Sequence, residues 1–398
     1  MSEAKHEHLP IVVVGAGPAG LSLGYELKRL GRSDFVVLDA GDVPGFCWTE
    51  MPRSLKLLSP WKENTLLGLP ARALEAYSLK PATEFAAYLA RFSSRYDLPI
   101  KTGARVERVE RADESFVLHT TAGTFSADVV VNATGYYANP YTPSYPGASS
   151  TSIRQMHVRD FYDAPQVKEL VGKSSPRVLV VGKRISAGQT IFDLYEGGAD
   201  VAISHRSPIE FAPHPLILKG VFPFYYVWEN FRVRLQPFYR EDSYPPMEGG
   251  EIKELIVSGR VRSRPDITRF DGDEIVFADG SREAFDLVIY ATGFRPALGH
   301  LSELLPAGHE HGPPVREMES ASVPGLFFLG LDKLKTFRSR YLRGIREDAR
   351  ALAVLLERRL RGAKKRQRST PPSIANVAKT SESASSRLTT KNAPEASS

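Results

Sequence analysis

Cysteine is almost missing from this sequence: Cys47 is the only one in 398 residues. One thiol cannot close an intramolecular disulfide, and no C-x-x-C pair exists. A disulfide-stapled scaffold and a dithiol redox relay are therefore both excluded. Such sparing use fits a reducing, cytoplasmic setting, which is the expected location. Long apolar runs are lacking too. None approaches the ~18 residues of a membrane span, and the opening MSEAKHEHLP has no basic-then-apolar export pattern. Acidic balance is also short, with a formal charge of +6. The excess cations cluster late, between 338 and 368, and include Arg358, Arg359, Lys364, Lys365 and Arg366. A clustered excess of this kind reads as a solvated face and tail, with lipid or nucleic-acid contact the minor alternative, and no nucleic-acid partner is expected. No metal is expected either.

What is present is organised around residues 11–39, IVVVGAGPAGLSLGYELKRLGRSDFVVLD. Residues 11–14 form a short buried strand, Gly15, Gly17 and Gly20 give G-x-G-x-x-G, residues 21–30 carry helical spacing, and 35–38 is a second strand closed by Asp39. Each residue type has a physical task. Gly15 permits the tight turn, Gly17 lets backbone approach a pyrophosphate, and Gly20 lets helix and strand pack closely. Pro18 and Ala19, between the glycines, are counted with them as cofactor-binding residues, and the free N–H groups and dipole at the helix start favour a phosphate. Asp39 stands about 20 residues further on, within reach of a ribose hydroxyl pair.

Further along, residues 41–72 are rich in proline, glycine and aromatics without periodicity, a pattern typical of cofactor-covering segments. Residues 81–92 read as a helix with Phe85, Tyr88, Leu89 and Phe92 on one face, 100–123 as a strand meander, and 128–134 (DVVVNAT) as a buried strand before Gly135. A proline-bearing connection follows over 136–176. The opening pattern then recurs: strand 178–181, a turn at Gly182, a helix to about Tyr195, and strand 201–204. This internal repeat implies two nucleotide-binding units. An aromatic-rich insertion occupies 208–250, strand-like alternation returns over 259–277, and 286–292 (DLVIYAT) repeats the earlier strand before Gly293. A last core strand lies at 326–329, a basic amphipathic helix at 339–360, and a low-complexity tail beyond about 361.

The second strand ends in His205-Arg206 rather than in an acid. A carboxylate there would bind a free ribose 2′-hydroxyl, whereas Arg accommodates a 2′-phosphate, so NADPH is expected over NADH. Within the second turn, Arg184 occupies the place of the middle glycine, with Ser186 in the first helical turn. Its side chain either crowds the pyrophosphate or binds it as a cation.

GAGPAG, the strand ends Ala133-Thr134-Gly135 and Ala291-Thr292-Gly293-Phe294, and the second glycine turn together resemble the flavin-containing monooxygenases. These are class B flavoprotein monooxygenases, related to the plant indole-pyruvate monooxygenases and the Baeyer–Villiger enzymes. LKLLSPWKENTLLGLP is similar to the family's flavin-covering segment, and PGLFFLGLDKLKTFRSRYLRGIREDA to its C-terminal flavin-contacting stretch. The resemblance implies an α/β fold with two Rossmann-like domains, the NADPH domain inserted into a discontinuous FAD domain. The implied boundaries are 1–147 and 297–361 for the FAD domain, 148–296 for the NADPH domain, and 362–398 for a disordered tail. FAD would lie on Gly15, Gly17, Gly20 and Asp39, with Trp48 and the segment carrying Ser59 and Pro60 near the isoalloxazine. The implied activity is transfer of one oxygen atom from O2 to a small organic substrate through a C4a-(hydro)peroxyflavin, after reduction by NADPH.

The chain departs from the family pattern at several places. Thr151 and Ile153 replace the Phe and Gly of F-x-G-x-x-x-H, although His157 is kept, and Trp61 stands where animal members carry an active-site Asn, with Asn64 nearby. Trp61, Asn64 and His157 are the candidate catalytic residues. His157 reads equally as a hinge in the linker or as a cap on a turn. Cys47, beside Trp48, reads as a buried apolar residue. The aromatics between Phe222 and Phe231 suit a substrate tunnel, a membrane contact or plain core packing. A flavin reductase or oxidase feeding a quinone, a carrier protein or O2 is the alternative activity, and a flavin-bound regulatory protein without turnover a further one.

Overall fold

The computed structural model describes residues 7–213, 215–235, 245–309 and 312–369. By their contacts they belong to two compact units, Met1–Ala353 and Val354–Ser398. The first unit opens with β1 (Glu7–Val14), α1 (Pro18–Arg29) and β2 (Phe35–Leu38). Then come α2 (Trp61–Asn64), α3 (Ala82–Arg95), β3 (Ile100–Lys101), β4 (Val106–Ala112), β5 (Ser115–Thr120) and β6 (Gly123–Asn132). The middle of the chain gives β7 (Arg154–His157), α4 (Ala164–Val171), β8 (Arg177–Val181), α5 (Ile185–Glu196), β9 (Asp200–Ser204), α6 (Pro215–Arg234) and α7 (Glu251–Val257). It ends with β10 (Arg262–Arg264), β11 (Ile267–Asp271), β12 (Glu274–Phe277), β13 (Arg282–Ala284), β14 (Leu287–Tyr290), β15 (Val315–Arg316), β16 (Glu319–Ser320), β17 (Leu326–Phe328) and α8 (Leu342–Ser369).

Two parallel-centred sheets carry the fold. The larger runs β15-β16-β17-β6-β1-β2-β3, with β4 and β5 continuing antiparallel from β6. The second runs β10-β9-β8-β14-β7, parallel throughout, and β11, β12 and β13 form a small antiparallel sheet. The expected mixed α/β fold with two Rossmann-like units is what the chain adopts. In β1, Val12 lies opposite Val36 on one side and Val130 on the other, and both faces are covered. A strand enclosed on both faces has no use for alternation, so its sequence is an unbroken apolar run. Residues Ile11, Val12 and Val13 are fully buried accordingly. The α3 face also behaves as its spacing predicts: Phe85, Leu89 and Phe92 are fully buried, and Tyr88 nearly so.

Three segments differ from the sequence expectation. The connection over 136–176 contains β7 and α4. β7 is four residues long, polar, and at the sheet edge, so no periodicity marks it; α4 is capped by the Asp163 carboxylate on the Gln166 N–H at 2.9 Å. The last helix starts at Leu342 rather than 339, because Ser339 Oγ accepts the N–H groups of Lys335 and Thr336, each at 3.0 Å, and holds that segment as a turn. It also continues to Ser369, through Ala, Lys, Arg and Gln, which are good helix formers, so 362–369 are helical; the rest of the expected tail, 370–398, lies outside the described residues. Within the insertion, 236–244 also lie outside them.

Candidate functional site

The first glycine turn leaves β1 and enters α1. Gly15 has φ +107°, a left-handed value, and a Cβ there would sit 2.7 Å from Ala133 O. A Cβ on Gly20 would meet Gly15 O at 1.9 Å, so this glycine is what allows α1 to lie against the turn. A Cβ on Gly17 would meet nothing within 4 Å. Sterics inside the protein therefore account for Gly15 and Gly20 and leave Gly17 facing open space, as expected of a backbone approached by a pyrophosphate. Gly17 is the N-cap of α1, Pro18 its first residue, and Ala19 is buried beside it; Gly330, after β17, brings its backbone to this point, where a Cβ would lie 3.1 Å from Ala19 Cβ.

Asp39 ends β2 at the mouth of this turn. Its carboxylate accepts the Ala16 N–H and, at 2.8 Å, the Gly41 N–H. Burial raises its pKa above the ordinary value, against the opposing pull of those two donors. Two N–H bonds leave lone pairs on the carboxylate for a ribose hydroxyl pair. At the end of β6, Asn132 is fully buried, and its Nδ2 has no hydrogen-bond partner. An orphaned donor, an open glycine and an available carboxylate at the carboxyl ends of parallel strands fit a dinucleotide such as FAD.

The covering segment packs on the same turn. Gly45 N–H donates to Ala16 O at 2.9 Å, and Trp48 lies edge-on to Phe85 with centroids 4.5 Å apart. Burial, helped by the Asp39 carboxylate, pushes the Cys47 thiol up to about 12, so it stays protonated and is no nucleophile at neutral pH. Ser59 Oγ donates to Asn64 Oδ1 at 2.8 Å, and Asn64 Nδ2 returns to the carbonyls of Ser59 and Pro60. Asn64 is thus buried and spent on closing this turn. Trp61 is buried against Phe85 and Tyr88, with centroids 6.0 and 5.2 Å away.

The second turn repeats the first. Gly182 has φ +153°, and a Cβ there would lie 2.5 Å from Ala291 O, as Gly15 does from Ala133 O. The two Ala-Thr-Gly strand ends therefore have one job: each presents its Ala carbonyl to the first glycine of its own turn. Arg184 is the N-cap of α5, and its Nη1 donates to Pro245 O at 3.4 Å. Ser186 follows in the first helical turn, and Ala187, fully buried, takes the third glycine's place. Gly188 instead admits Met247, whose Cγ would lie 2.8 Å from an added Cβ.

A cavity of about 530 Å³ opens at the end of β9, lined among others by His205, Arg206, Ser207 and Arg264. His205 Nε2 is bonded to Ser263 Oγ at 2.7 Å, and Arg264 Nε donates to Glu283 at 2.8 Å. Arg206 is exposed and has no hydrogen bond or ion pair with any described residue. Lys183, inside the glycine turn, donates from Nζ to Ser207 Oγ at 2.7 Å. The sequence reading missed Lys183, although a cation between Gly182 and Arg184 is itself a signal for phosphate.

Beyond the strand ends the two linkers pair with each other. Tyr141 N–H donates to Gly293 O at 3.0 Å, Arg295 N–H to Asn139 O at 2.9 Å, and Ala297 N–H to Gly135 O at 2.9 Å. Thr134 Oγ1 donates to Ala297 O at 2.8 Å, and Thr292 Oγ1 to Tyr141 O. His157, at the end of β7, accepts the Arg159 N–H on Nδ1 at 3.1 Å and donates from Nε2 to Gly293 O at 3.0 Å. It therefore caps a turn and touches the linker pair at once. Burial holds its pKa below the ordinary value, so it is neutral at pH 7.

Two glycine turns on two parallel sheets, joined by a paired crossover, define a flavoprotein oxidoreductase with two dinucleotide-binding units. Comparison with known proteins agrees. The pyridine nucleotide-disulphide oxidoreductase family matches residues 12–218, and the chain belongs to that family. A flavin-containing monooxygenase from Stenotrophomonas maltophilia superposes with a TM-score of 0.73 at 25% identity, over 89% of this chain and 99% of that one. An uncharacterised CzcO-like oxidoreductase of Geobacillus kaustophilus is 29% identical over 86% of this chain and 96% of the relative. The probable indole-3-pyruvate monooxygenase YUCCA7 of Arabidopsis thaliana is 25% identical over 86% of each chain. The likeness to class B flavoprotein monooxygenases is borne out, and the family implies the cofactors FAD and NADPH. The chain itself holds no cysteine pair for the disulphide chemistry in the family's description.

Proposed function

We propose that the protein is an FAD-dependent monooxygenase reduced by NADPH, which inserts one oxygen atom of O2 into a small organic substrate. Residues 1–147 and 297–361 make the FAD domain in this reading, and 148–296 the NADPH domain. The observation that carries it is Gly17, a glycine with no neighbour to make room for, beside an Asp39 carboxylate with lone pairs to spare. Gly17 and the N–H groups of α1 would take the FAD pyrophosphate, and Asp39 the ribose. Bound FAD would supply hydride acceptance and oxygen activation. The protein's own residues would orient and enclose it: the segment carrying Trp48 is tied to the first turn by Gly45 N–H on Ala16 O, the Gly330 backbone approaches Ala19, and the Ser59–Asn64 turn would lie near the isoalloxazine. Arg206, His205 and Lys183 make a cationic end for a 2′-phosphate at the second. No side chain at the site needs to relay a proton, and the neutral His157 and protonated Cys47 are consistent with that.

The test is anaerobic reduction of the FAD-loaded protein by NADPH and by NADH, followed by air. NADPH is expected to bleach the visible flavin band faster than NADH does. On aeration, O2 consumption should match an oxygenated product in a screen of amines, thioethers and ketones. Arg206→Ser removes one charge-assisted phosphate bond, worth about 1.5–3 kcal/mol. That raises the NADPH Kd roughly 10- to 150-fold and leaves NADH unchanged. Prompt bleaching with all electrons recovered as hydrogen peroxide would replace this reading with an oxidase or reductase. Failure of both nucleotides to bleach the flavin would refute it.

A further inference from the structure

The segment after the first turn is held by both halves of the fold. At one end Gly45 N–H donates to Ala16 O at 2.9 Å. At the other, Leu57 N–H donates to Lys80 O at 2.9 Å and Ala82 N–H to Leu55 O at 3.0 Å. Between these anchors the chain reaches across to the elements around the second sheet. Arg53 N–H donates to Tyr162 O at 3.0 Å, and Ser54 Oγ donates to the Asp193 carboxylate on α5 at 2.6 Å. Gln189 Nε2, also on α5, donates to Lys56 O at 3.4 Å. The Tyr137 hydroxyl lies 3.0 Å from Glu50 O and 3.1 Å from Arg159 O, so its one proton is shared between a carbonyl of the segment and a carbonyl just after β7. The Tyr137 ring is stacked on Phe294 at 5.5 Å, and Phe294 meets His157 edge-on at 4.8 Å. Removing the hydroxyl leaves this stack in place.

α5 is the helix that starts at the second glycine turn. Ser186, Gln189 and Asp193 fall within about 60° of one another at 100° per residue. The face of α5 that begins beside that turn is therefore the face fastened to the segment. The paired linkers by themselves are two adjacent chain crossings, an arrangement able to turn as a hinge. Glu229 of α6, 1% exposed and bonded to Arg343 Nε at 2.7 Å, ties the insertion helix to the start of α8 and leaves Phe224 and Phe231 facing outward. That tie bears on the insertion, whereas the bonds from Ser54 and to Lys56 bear on α5 itself.

We propose that residues 45–57 are a strap that sets the place of α5 relative to the first glycine turn, and that Tyr137 and Ser54 are positioning residues for flavin reduction. This rests on the reading above, in which a dinucleotide held at the start of α5 reduces FAD held at the first turn. A misplacement of about 1 Å can slow such a transfer about 100-fold. Among the described residues, neither Tyr137 nor Ser54 is hydrogen-bonded to the groups assigned to the cofactors, Gly17, Asp39, Lys183 and Arg206. Loosening the strap should therefore cost rate and spare affinity.

The test uses the FAD-loaded full chain as wild type, as Tyr137→Phe with Ser54→Ala together, and as Ser54→Thr, which keeps the hydroxyl. Trypsin reads the strap directly, since Arg53 and Lys56 lie within it. Losing one hydrogen bond changes an opening equilibrium about 2- to 12-fold, so cleavage after these two residues should speed at least about 5-fold in the double variant. Ser54→Thr should keep the wild-type rate of cleavage. Anaerobic stopped-flow reduction by NADPH reads the consequence. The limiting rate should fall roughly 10- to 100-fold in the double variant, with the Kd of NADPH and of FAD within about 2-fold of wild type. Ser54→Thr should again match wild type. Unchanged cleavage would overturn the proposal, as would faster cleavage with an unchanged limiting rate. A raised NADPH Kd at an unchanged limiting rate would also overturn it, since the strap would then serve binding. Wild type that NADPH fails to reduce would refute the functional reading and this proposal with it, whereas failure of the strap alone leaves wild-type reduction intact.

Discussion

Replacing Gly17 and Gly20 by alanine separates binding from folding. At Gly20 a Cβ would stand 1.9 Å from Gly15 O, a backbone atom that cannot swing away. The turn or α1 must shift, and overpacking of that kind costs about 1–3 kcal/mol. At Gly17 the new methyl meets nothing within 4 Å, and the backbone is extended at φ −77°, ψ −172°, which any residue adopts. The folding cost there is the loss of a favourable N-cap glycine, up to about 1 kcal/mol. The methyl would, however, stand between the backbone and a pyrophosphate. Breaking one charge-assisted N–H bond to phosphate costs about 1.5–3 kcal/mol, roughly a 10- to 150-fold loss of affinity. The assay is a pair of measurements: Tm of the flavin-free protein, and FAD titration followed by quenching of FAD fluorescence. Gly17→Ala should lower the flavin-free Tm by no more than a few degrees and lose FAD affinity, whereas Gly20→Ala should lower the Tm further and lose FAD affinity as well. Wild-type FAD affinity in Gly17→Ala would refute the assignment of this turn to the pyrophosphate. An equal fall in flavin-free Tm for both variants would refute the steric argument.

Three further outcomes follow from buried polar groups. Asp348, 2% exposed on α8, has its pKa raised to about 6, chiefly by burial and with Glu347 adding to it, while Ser339, Lys335 and Arg338 pull the other way. The folded state then holds this proton more tightly than the unfolded chain, so stability falls as pH rises between about 4 and about 6 and is flat above, by up to about 3 kcal/mol. Asp348→Asn should remove that slope in urea midpoints measured from pH 4.5 to about 7.5, and an unchanged slope would refute it. Glu229→Ala leaves Arg343 and Arg338 without their buried acid and should cost about 3–5 kcal/mol in urea unfolding; a loss below about 1 kcal/mol would show the cluster to be solvated. Asn64→Ala removes the three hydrogen bonds that close the Ser59–Asn64 turn and should cost about 1–3 kcal/mol with the rate of flavin reduction and oxygenation unchanged. A rate loss without a stability loss would place Asn64 in the chemistry instead.

The local units of this protein were legible in the chain because their causes are local. Residues 11–14 are apolar without alternation because β1 is covered on both faces, and Gly15 must be glycine because its φ is positive. The repeat at Gly182, the twin Ala-Thr-Gly strand ends and the Arg206 that replaces an acid all lie within a few residues of the strands they terminate. The sequence by itself thus determined two nucleotide-binding turns, their helices and the fold class. Only the tertiary structure decided what those turns rest on and what encloses them. Ala133 O against Gly15, Lys183 on Ser207, His157 on Gly293 and Glu229 against Arg343 all join residues far apart in the chain. Asn64 and Trp61 look alike as neighbours of a flavin until their burial shows one closing a turn and the other filling a core. The outward face of α6 was hidden for the same reason. An aromatic-rich helix reads as core, and only the buried Glu229 ion pair decides which side of it faces out.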